Sequence, residues 1–436
     1  ARRAITALAA PERRDDPLLR GLCFAIVDEA DHVLIDEART PLILSQQRPD
    51  RYTAAQYGAA LELARQLQRD VDFELDLKNK RVRLQPPSAA ALAEVHRSAE
   101  LGQIRQKPWE ELVELAVAAL HLFRRDIDYL VDDGRVAIID PRTGRALPDR
   151  SWELGLHQLI ECKESCETTP GKETLARISF QQFYRRYLQL GGMTGTAREV
   201  TRELAHVYEL AVVAVPPARP VRRIHGGEWI ARSAEQKRRM LIERVRSIGA
   251  SGQPLLIGTQ TVEDSLMVSA WLREHEIEHR LLNATTHREE AEIIGCAGEL
   301  GAITVATNMA GRGTDIRLAE GVAGRGGLFV LSTGRGESAR VDRQLAGRAG
   351  RRGDPGRFEA ILSLEDTLVR EFFHPFVLQI ARSDLLDRLG LCSKVGRSLN
   401  SYAQAAVERR HAAERRAVLR EEEMREKRFA FAGGTE

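Results

Sequence analysis

The sequence predicts an α/β fold built on parallel sheets, and three observations carry the prediction. Short continuous apolar runs recur, as strands buried on both faces do: Leu22–Val27, Ala211–Val215, Pro254–Gly258, Ala302–Thr307, Leu328–Ser332 and Ala360–Leu364. Stretches with a helical period, among them Ala234–Ile248 and Val262–His275, stand between the later runs. The first run ends in acids, "VDEAD" at 27–31, and the carboxyl ends of strands are where open α/β sheets bind ligands. Such alternation places helices on both faces of a sheet.

Taken in order, residues 1–45 read as the end of a first α/β lobe, closing on Leu22–Val27 and its acids. Residues 46–178 change character and are expected to form an α+β insertion. Phe73–Gln85 and Asp128–Asp140 look like antiparallel hairpins, the second turning at Asp133-Gly134, and Trp109–Phe123 looks helical. Residues 179–220 return to the first lobe, 221–370 make the second, and 371–436 form a charged helical tail with a weak apolar stripe. At 436 residues the chain is long enough for about three folded units. The net charge of +2 creates no global field for a polyanion, and no nucleic-acid partner is expected. Five cysteines, an odd count without a secretory leader, indicate a reducing compartment; Cys162 and Cys166 are four apart with no second pair at zinc spacing. No apolar run approaches the roughly 20 residues of a membrane span.

Three runs carry chemistry. In "VDEAD", Asp28 is placed to hold a Mg²⁺ on nucleotide phosphates, and Glu29 to polarise an attacking water. In "VATNMAGRGTDI", residues 305–316, Gly313 lets the backbone approach a ligand. Arg312 there offers a guanidinium to phosphate, and Asp315 a carboxylate to a ribose hydroxyl or a coupling network. In "RQLAGRAGRRGDPGRF", residues 343–358, Gln344, Arg348 and Arg351 recur at helical spacings and are expected to share one face, the two arginines clamping a transferring phosphoryl group. No G-x-x-x-x-G-K-[ST] phosphate loop occurs: the one Gly-Lys pair, Gly171-Lys172, is followed by Glu173 and is expected to be a loop of the insertion.

With these runs in hand, the chain resembles the SecA preprotein translocase ATPases, of helicase superfamily 2 architecture. The resemblance rests on "VDEADHVLIDEARTPLI", "GRVAIIDPRTGRALPDRSWELGLHQLIECKE", "GGMTGTA", "LLIGTQTVED", "VATNMAGRGTDI" and "RQLAGRAGRRGDPGRF" with "SLED", in that order across residues 22–370. It implies two RecA-like lobes, ATP and Mg²⁺ as cofactors, and hydrolysis coupled to the movement of unfolded preproteins through a Sec-type membrane channel. By position it implies Asp28 as the Mg²⁺-side acid, Glu29 as the catalytic base, Arg312, Gly313, Asp315 and Gln344 as nucleotide contacts, and Arg348 and Arg351 as finger arginines. The insertion becomes the preprotein cross-linking domain, and the tail the start of the helical scaffold. An anionic lipid surface and self-association into a homodimer are implied as well, with a cytoplasmic location at the inner face of the membrane.

The chain departs from the family pattern at "TGRGES", where Gly334 and Gly336 stand in place of Glu and His, and in a short linker between Ile316 and Gly326. Without a phosphate loop in the 436 residues, the chain alone is expected to be inactive and to be part of a longer polypeptide. Two other classes fit parts of the pattern. A SecA-like scaffold without catalysis shares all the motifs. A DEAD-type RNA helicase shares the acids and the arginines, but "GMTGTA" lies more than 150 residues beyond Asp28 and the intervening segment has no RNP aromatic pattern.

Overall fold

In a computed structural model of the chain, residues 21–48, 50, 52–76, 80–85, 106–139, 146–147, 150–282, 290–307 and 313–431 are described. Strand β1 (Phe24–Val27) leads into the acidic run and a π-helical turn, His32–Asp36. Strand β2 (Pro41–Arg48) then leaves the first lobe. The chain builds a separate body from α1 (Ala54–Gln66), β3 (Phe73–Asp76), β4 (Arg81–Leu84), α2 (Gln106–His121), β5 (Tyr129–Asp132), β6 (Arg135–Ile139), β7 (Ala146–Leu147) and α3 (Leu156–Lys163). Strand β8 (Gly171–Ser179) returns antiparallel to β2, with Pro41 opposite Ser179 and Arg48 opposite Gly171. The two strands form a stalk, and the expected insertion bounds at 46 and 178 fall inside them. Gly171-Lys172 is therefore extended strand rather than a loop, because its backbone is taken up by pairing with β2.

The inserted body has its own core, in which Tyr57, Phe73, Trp109, Val113, Tyr129 and Leu159 are almost fully buried. Helix α1 starts on a reciprocal cap, the Thr53 side chain accepting from Gln56 N while Gln56 accepts from Thr53 N. Both expected hairpins are present. The second turns at Asp133 (φ 49°) and Gly134 (φ 72°), the left-handed pair that a two-residue hairpin needs. Helix α3 ends at Lys163, so Cys166 lies beyond the helix that also carries Cys162; both are free thiols packed beside the core.

After the stalk come α4 (Phe180–Tyr184), β9 (Gln189–Gly192) and α5 (Thr201–Tyr208); β9 lies parallel to β1, with Val27 opposite Gly192. Residues 211–215, expected as a strand, form none. Their apolar sequence favours extension, but no described strand pairs with them, and Val213 and Val215 are 79% and 85% exposed.

The second lobe is a six-stranded, fully parallel sheet with β12 and β10 at its edges. Its elements are β10 (Arg222–Ala231), α6 (Ala234–Ala250), β11 (Leu255–Thr259), α7 (Val262–Glu274), β12 (Arg280–Leu282), α8 (Glu290–Cys296), β13 (Ile303–Thr307), β14 (Leu328–Ser332), α9 (Ala339–Ala346) and β15 (Pro355–Ser363). The strand order is β10-β15-β14-β11-β13-β12. Successive residues feed opposite faces: Leu255, Ile257, Phe329 and Leu331 join the core under α6 and α7, while Leu256, Leu328 and Val330 join the other with α8 and α9. Short helices α10 (Thr367–Phe372), α11 (Pro375–Ala381) and α12 (Asp384–Arg388) lead to α13 (Cys392–Phe431), a single helix of 40 residues. Rather than standing in solvent, α13 buries Ala403, Val407, His411, Arg415 and Glu422 against both lobes and the stalk.

Candidate nucleotide site and the junction between the lobes

The acidic run leaves β1 through a tight turn. Asp28 is exposed, its Oδ1 accepting from Glu29 N at 2.9 Å, and Glu29 holds a left-handed backbone at φ 49°. A non-glycine residue in that region carries strain of order 1–3 kcal/mol, which collects at functional sites. The turn is seated by "GGMTGTA": Met193 N donates to Val27 O and Ala30 N to Met193 O, both at 2.9 Å. A Cβ on Gly192 would lie 2.6 Å from Ala30 Cβ and 2.9 Å from Val27 O, so only glycine lets the two segments approach.

The turn sends Asp31, not Asp28 or Glu29, inward. Asp31 is fully buried and accepts hydrogen bonds from Thr194 Oγ1 at 2.6 Å, Thr196 Oγ1 at 2.8 Å, Arg340 Nη1 at 2.6 Å and Gln344 Nε2 at 2.8 Å. The two threonines belong to the first lobe, and Arg340 and Gln344 project four residues apart from α9 of the second. Arg340 also donates to both oxygens of Asp36, and Gln344 to Thr196 Oγ1 at 3.0 Å. Burial would raise the Asp36 carboxyl, but His32, with Nδ1 3.6 Å from Oδ2, and the charge of Arg340 outweigh it and hold the group far below the usual carboxylate range. Burial likewise opposes the charge on Arg340, and Asp36 and Asp31 more than restore it.

Gln344, Arg348 and Arg351 do not share a helix face, because α9 ends at Ala346 and the chain turns through Gly347 and the left-handed Gly350 (φ 67°). A Cβ on Gly350 would meet Arg223 Cβ at 2.8 Å, which fixes glycine at this bend. Both arginines nevertheless converge on one loop. Arg348, buried, donates to Thr314 O at 3.0 Å; Arg351 donates to Thr314 O at 3.3 Å and Asp315 Oδ1 at 3.1 Å, and Arg352 pairs with Asp315 Oδ2 at 3.2 Å. Asp315 is thus a coupling carboxylate between the two glycine-rich loops. Gly313 is left-handed at φ 82°. Arg312 lies outside the described residues.

Sequence reasoning therefore found the runs but missed Asp31, Asp36, Arg340, Thr194 and Thr196 as the residues that join the lobes. Asp31 stood inside the quoted motif, and a helical step of four back from Gln344 reaches Arg340, so the signal for both was spacing. Next to the junction, α13 and the two lobes enclose a cleft of about 920 Å³ lined by His32, Asp36, Glu203, Gln260, Trp271 and Arg340 among others.

Two family models match the chain: a SecA DEAD-like domain over residues 9–205 and a SecA P-loop domain over residues 220–323 and 319–388. The Protein translocase subunit SecA 2 of Nitrosospira multiformis is 42% identical over 436 residues, covering 99% of this chain and 65% of that protein. The Protein translocase subunit SecA of Thermotoga neapolitana is 44% identical over 358 residues, 82% of this chain and 41% of that one. The chain thus spans less than two thirds of the length of these relatives. Among solved structures, a hypothetical ATP-dependent RNA helicase from Sulfolobus tokodaii aligns at 18% identity over 47% of this chain and 54% of that one, with a TM-score of 0.28.

Proposed function

Since the chain belongs to the SecA family, we propose that it works in an ATP-driven motor that moves unfolded preproteins through a Sec-type membrane channel. The observation that carries this reading is the Asp31 junction: one carboxylate of the acidic run holds Arg340 and Gln344 of the opposite lobe, on the helix that leads directly into the arginine loop. A motor needs such a link, because a ligand bound at one lobe must change the free energy of the other.

In this reading Asp28, exposed at the carboxyl end of β1, is the hard oxygen donor that suits Mg²⁺, which takes one or two carboxylates and completes its shell with phosphate oxygens and water. The metal, when bound to ATP, supplies charge neutralisation at the transferring phosphoryl group. Glu29 orients the attacking water. Arg351 and Arg348, held on Thr314 and Asp315, stand for the developing charge, and Gly313 and Arg312 are proposed nucleotide contacts. Gln344, committed to Asp31 and Thr196, serves coupling rather than a direct nucleotide contact. The stalked body between β2 and β8 holds the polypeptide, and α13 begins the scaffold. The partners are unfolded preproteins, the channel and an anionic lipid surface at the cytoplasmic face, with homodimer formation as a further arrangement. No described helix is long and apolar enough to cross a membrane.

The test is direct. No phosphate loop lies within the 436 residues, so the chain alone should bind Mg²⁺-ATP weakly and not turn it over. A longer version carrying a phosphate loop should hydrolyse ATP, and Glu29→Gln in it should cut kcat by about 10²–10⁴ with binding retained. Robust hydrolysis by the 436-residue chain, or normal turnover in Glu29→Gln, would sink this assignment.

A further inference from the structure

Helix α9 carries the junction. Within the second lobe its first turn is held by Ser338, whose Oγ accepts from Val341 N at 3.3 Å, and α13 adds a second hold. Arg340 and Gln344 occupy one face of α9; Asp342, two residues from each, occupies the opposite face, turned toward α13. There Gln404 Nε2 donates to Asp342 Oδ2 at 2.7 Å and to Gly336 O at 3.0 Å, while Gly336 N donates to Asp342 Oδ1 at 2.7 Å. One turn further along α13, Glu408 Oε1 accepts from Ala339 N at 2.6 Å. Ala339 is the first residue of α9, and its amide is one of the donors that a helix leaves without an internal partner. A carboxylate at this end is also favoured by the helix dipole. Gln404 and Glu408 therefore grip α9 from behind, at the end from which Arg340 reaches the first lobe.

The same α13 is anchored on the first lobe. Arg415 makes a bidentate pair with Glu203 at 2.6 Å for each bond, Arg39 donates to Glu414 at 2.9 Å, and both oxygens of Glu422 accept from Ser179 N, at 3.0 and 3.2 Å. A single rigid helix thus spans from the first lobe and stalk to the back of α9. We infer that Gln404 and Glu408 are positioning residues for lobe coupling: α13 sets, through the first turn of α9, whether Arg340 and Gln344 engage Asp31. The placement rests on the proposed motor only for its purpose; the contact chain itself needs no nucleotide.

Hydrogen exchange on the 436-residue chain tests it. Glu408→Ala should speed exchange of the 339–342 amides by about fivefold to tenfold, the scale of a lost helix cap, and should also speed exchange at 194–196 across the junction. Glu408→Gln keeps an oxygen for the Ala339 amide and should restore both, while Arg420→Ala, on the exposed side of α13, should change neither. In an Arg340→Ala background, Glu408→Ala should no longer move the 194–196 amides. The inference is overturned if Glu408→Ala and Gln404→Ala leave 339–342 unchanged. It is equally overturned if 194–196 responds to Glu408→Ala to the same extent with and without Arg340. If the longer protein proved to have no ATPase activity, the motor reading would fall while these exchange results stood.

Discussion

Two of the junctions between the second lobe and the rest of the chain have opposite character. Against the first lobe the second lobe offers Arg340 and Gln344 to Asp31 and Asp36, a hydrogen-bonded network in which Arg340 and Asp31 are buried charges. Against the inserted body it offers Val262, which meets Ile139 with Leu130 and Leu266 beside them, and an exposed ion pair between Arg124 and Glu263. A buried charged network is satisfied in one register only, since an unpaired charge out of water costs several kcal/mol. A small apolar contact is non-directional and separates at modest cost. Parting the lobes would therefore break the whole network at once, whereas parting the inserted body from the second lobe would cost little.

The sharpest way to break this contrast is Arg340→Ala. It leaves Asp31 and Asp36 without their cation, and removal of one partner from a buried pair costs about 3–5 kcal/mol. Denaturant unfolding should show a loss of that size. A loss under about 1 kcal/mol would mean that the threonines and Gln344 satisfy Asp31 by themselves. Next in size is Ile139→Ala. Ile139 is 1% exposed and packs against Val262, and truncation of a buried isoleucine costs about 2 kcal/mol or more. Here the cost should appear as faster exchange in β6 and the first turn of α7, with 194–196 unaffected. Equal effects at both junctions would show that they do not act separately.

Acid separates the two further. His157 is buried in α3 beside Glu161, and burial, helped by the charge of Lys172, lowers its pKa to about 4. A group whose folded pKa is depressed contributes stability that is present above its unfolded value, about 6.5 for histidine, and lost as pH falls toward the folded value. The inserted body should thus weaken between pH 6.5 and 4, by about 1–3 kcal/mol, and His157→Gln should flatten that slope. Asp36 is depressed too, so its contribution persists down to about pH 4, the unfolded carboxylate value, and fades only below it. Exchange followed from pH 7 to 4.5 should therefore show the insertion loosening while the 339–342 and 194–196 amides keep their protection, after correction for intrinsic rates.

Where the sequence was legible, a single physical cause sufficed. Strands β11, β13 and β14 are buried on both faces, so they appear as unbroken apolar runs and their bounds nearly match those expected. Strand β10 was not read: it is an edge strand, and "RRIHGGEWIA" mixes charge, a bulge at Gly226-Gly227 and half-exposed Trp229. Ala211–Val215 was over-read, since apolar continuity supplies the preference and only a neighbour supplies the ladder. In the site, the acids behind the first apolar run announced chemistry, but which one turns inward depends on the backbone at Glu29 and the close approach of Gly192. Arg340 was hidden among many arginines, because a partner 309 positions away leaves no local trace.

The smallest expected effect tests the exposed rim. Arg124 and Glu263 make two parallel bonds at 3.3 Å, a bidentate geometry, yet their side chains are 57% and 59% exposed. Water and salt screen such a pair, and ordering two long side chains opposes it, so Arg124→Ala should cost only about 0.2–1 kcal/mol. Its signature should be kinetic and ionic. Exchange in β6 should accelerate slightly at low salt, and the difference from the parent chain should shrink as salt rises toward 1 M, where the screening length falls to about 3 Å. A salt-independent loss comparable with that of Ile139→Ala would mean that the pair is desolvated when the inserted body is closed, and the rim would then belong with the buried, register-setting contacts rather than the reversible ones.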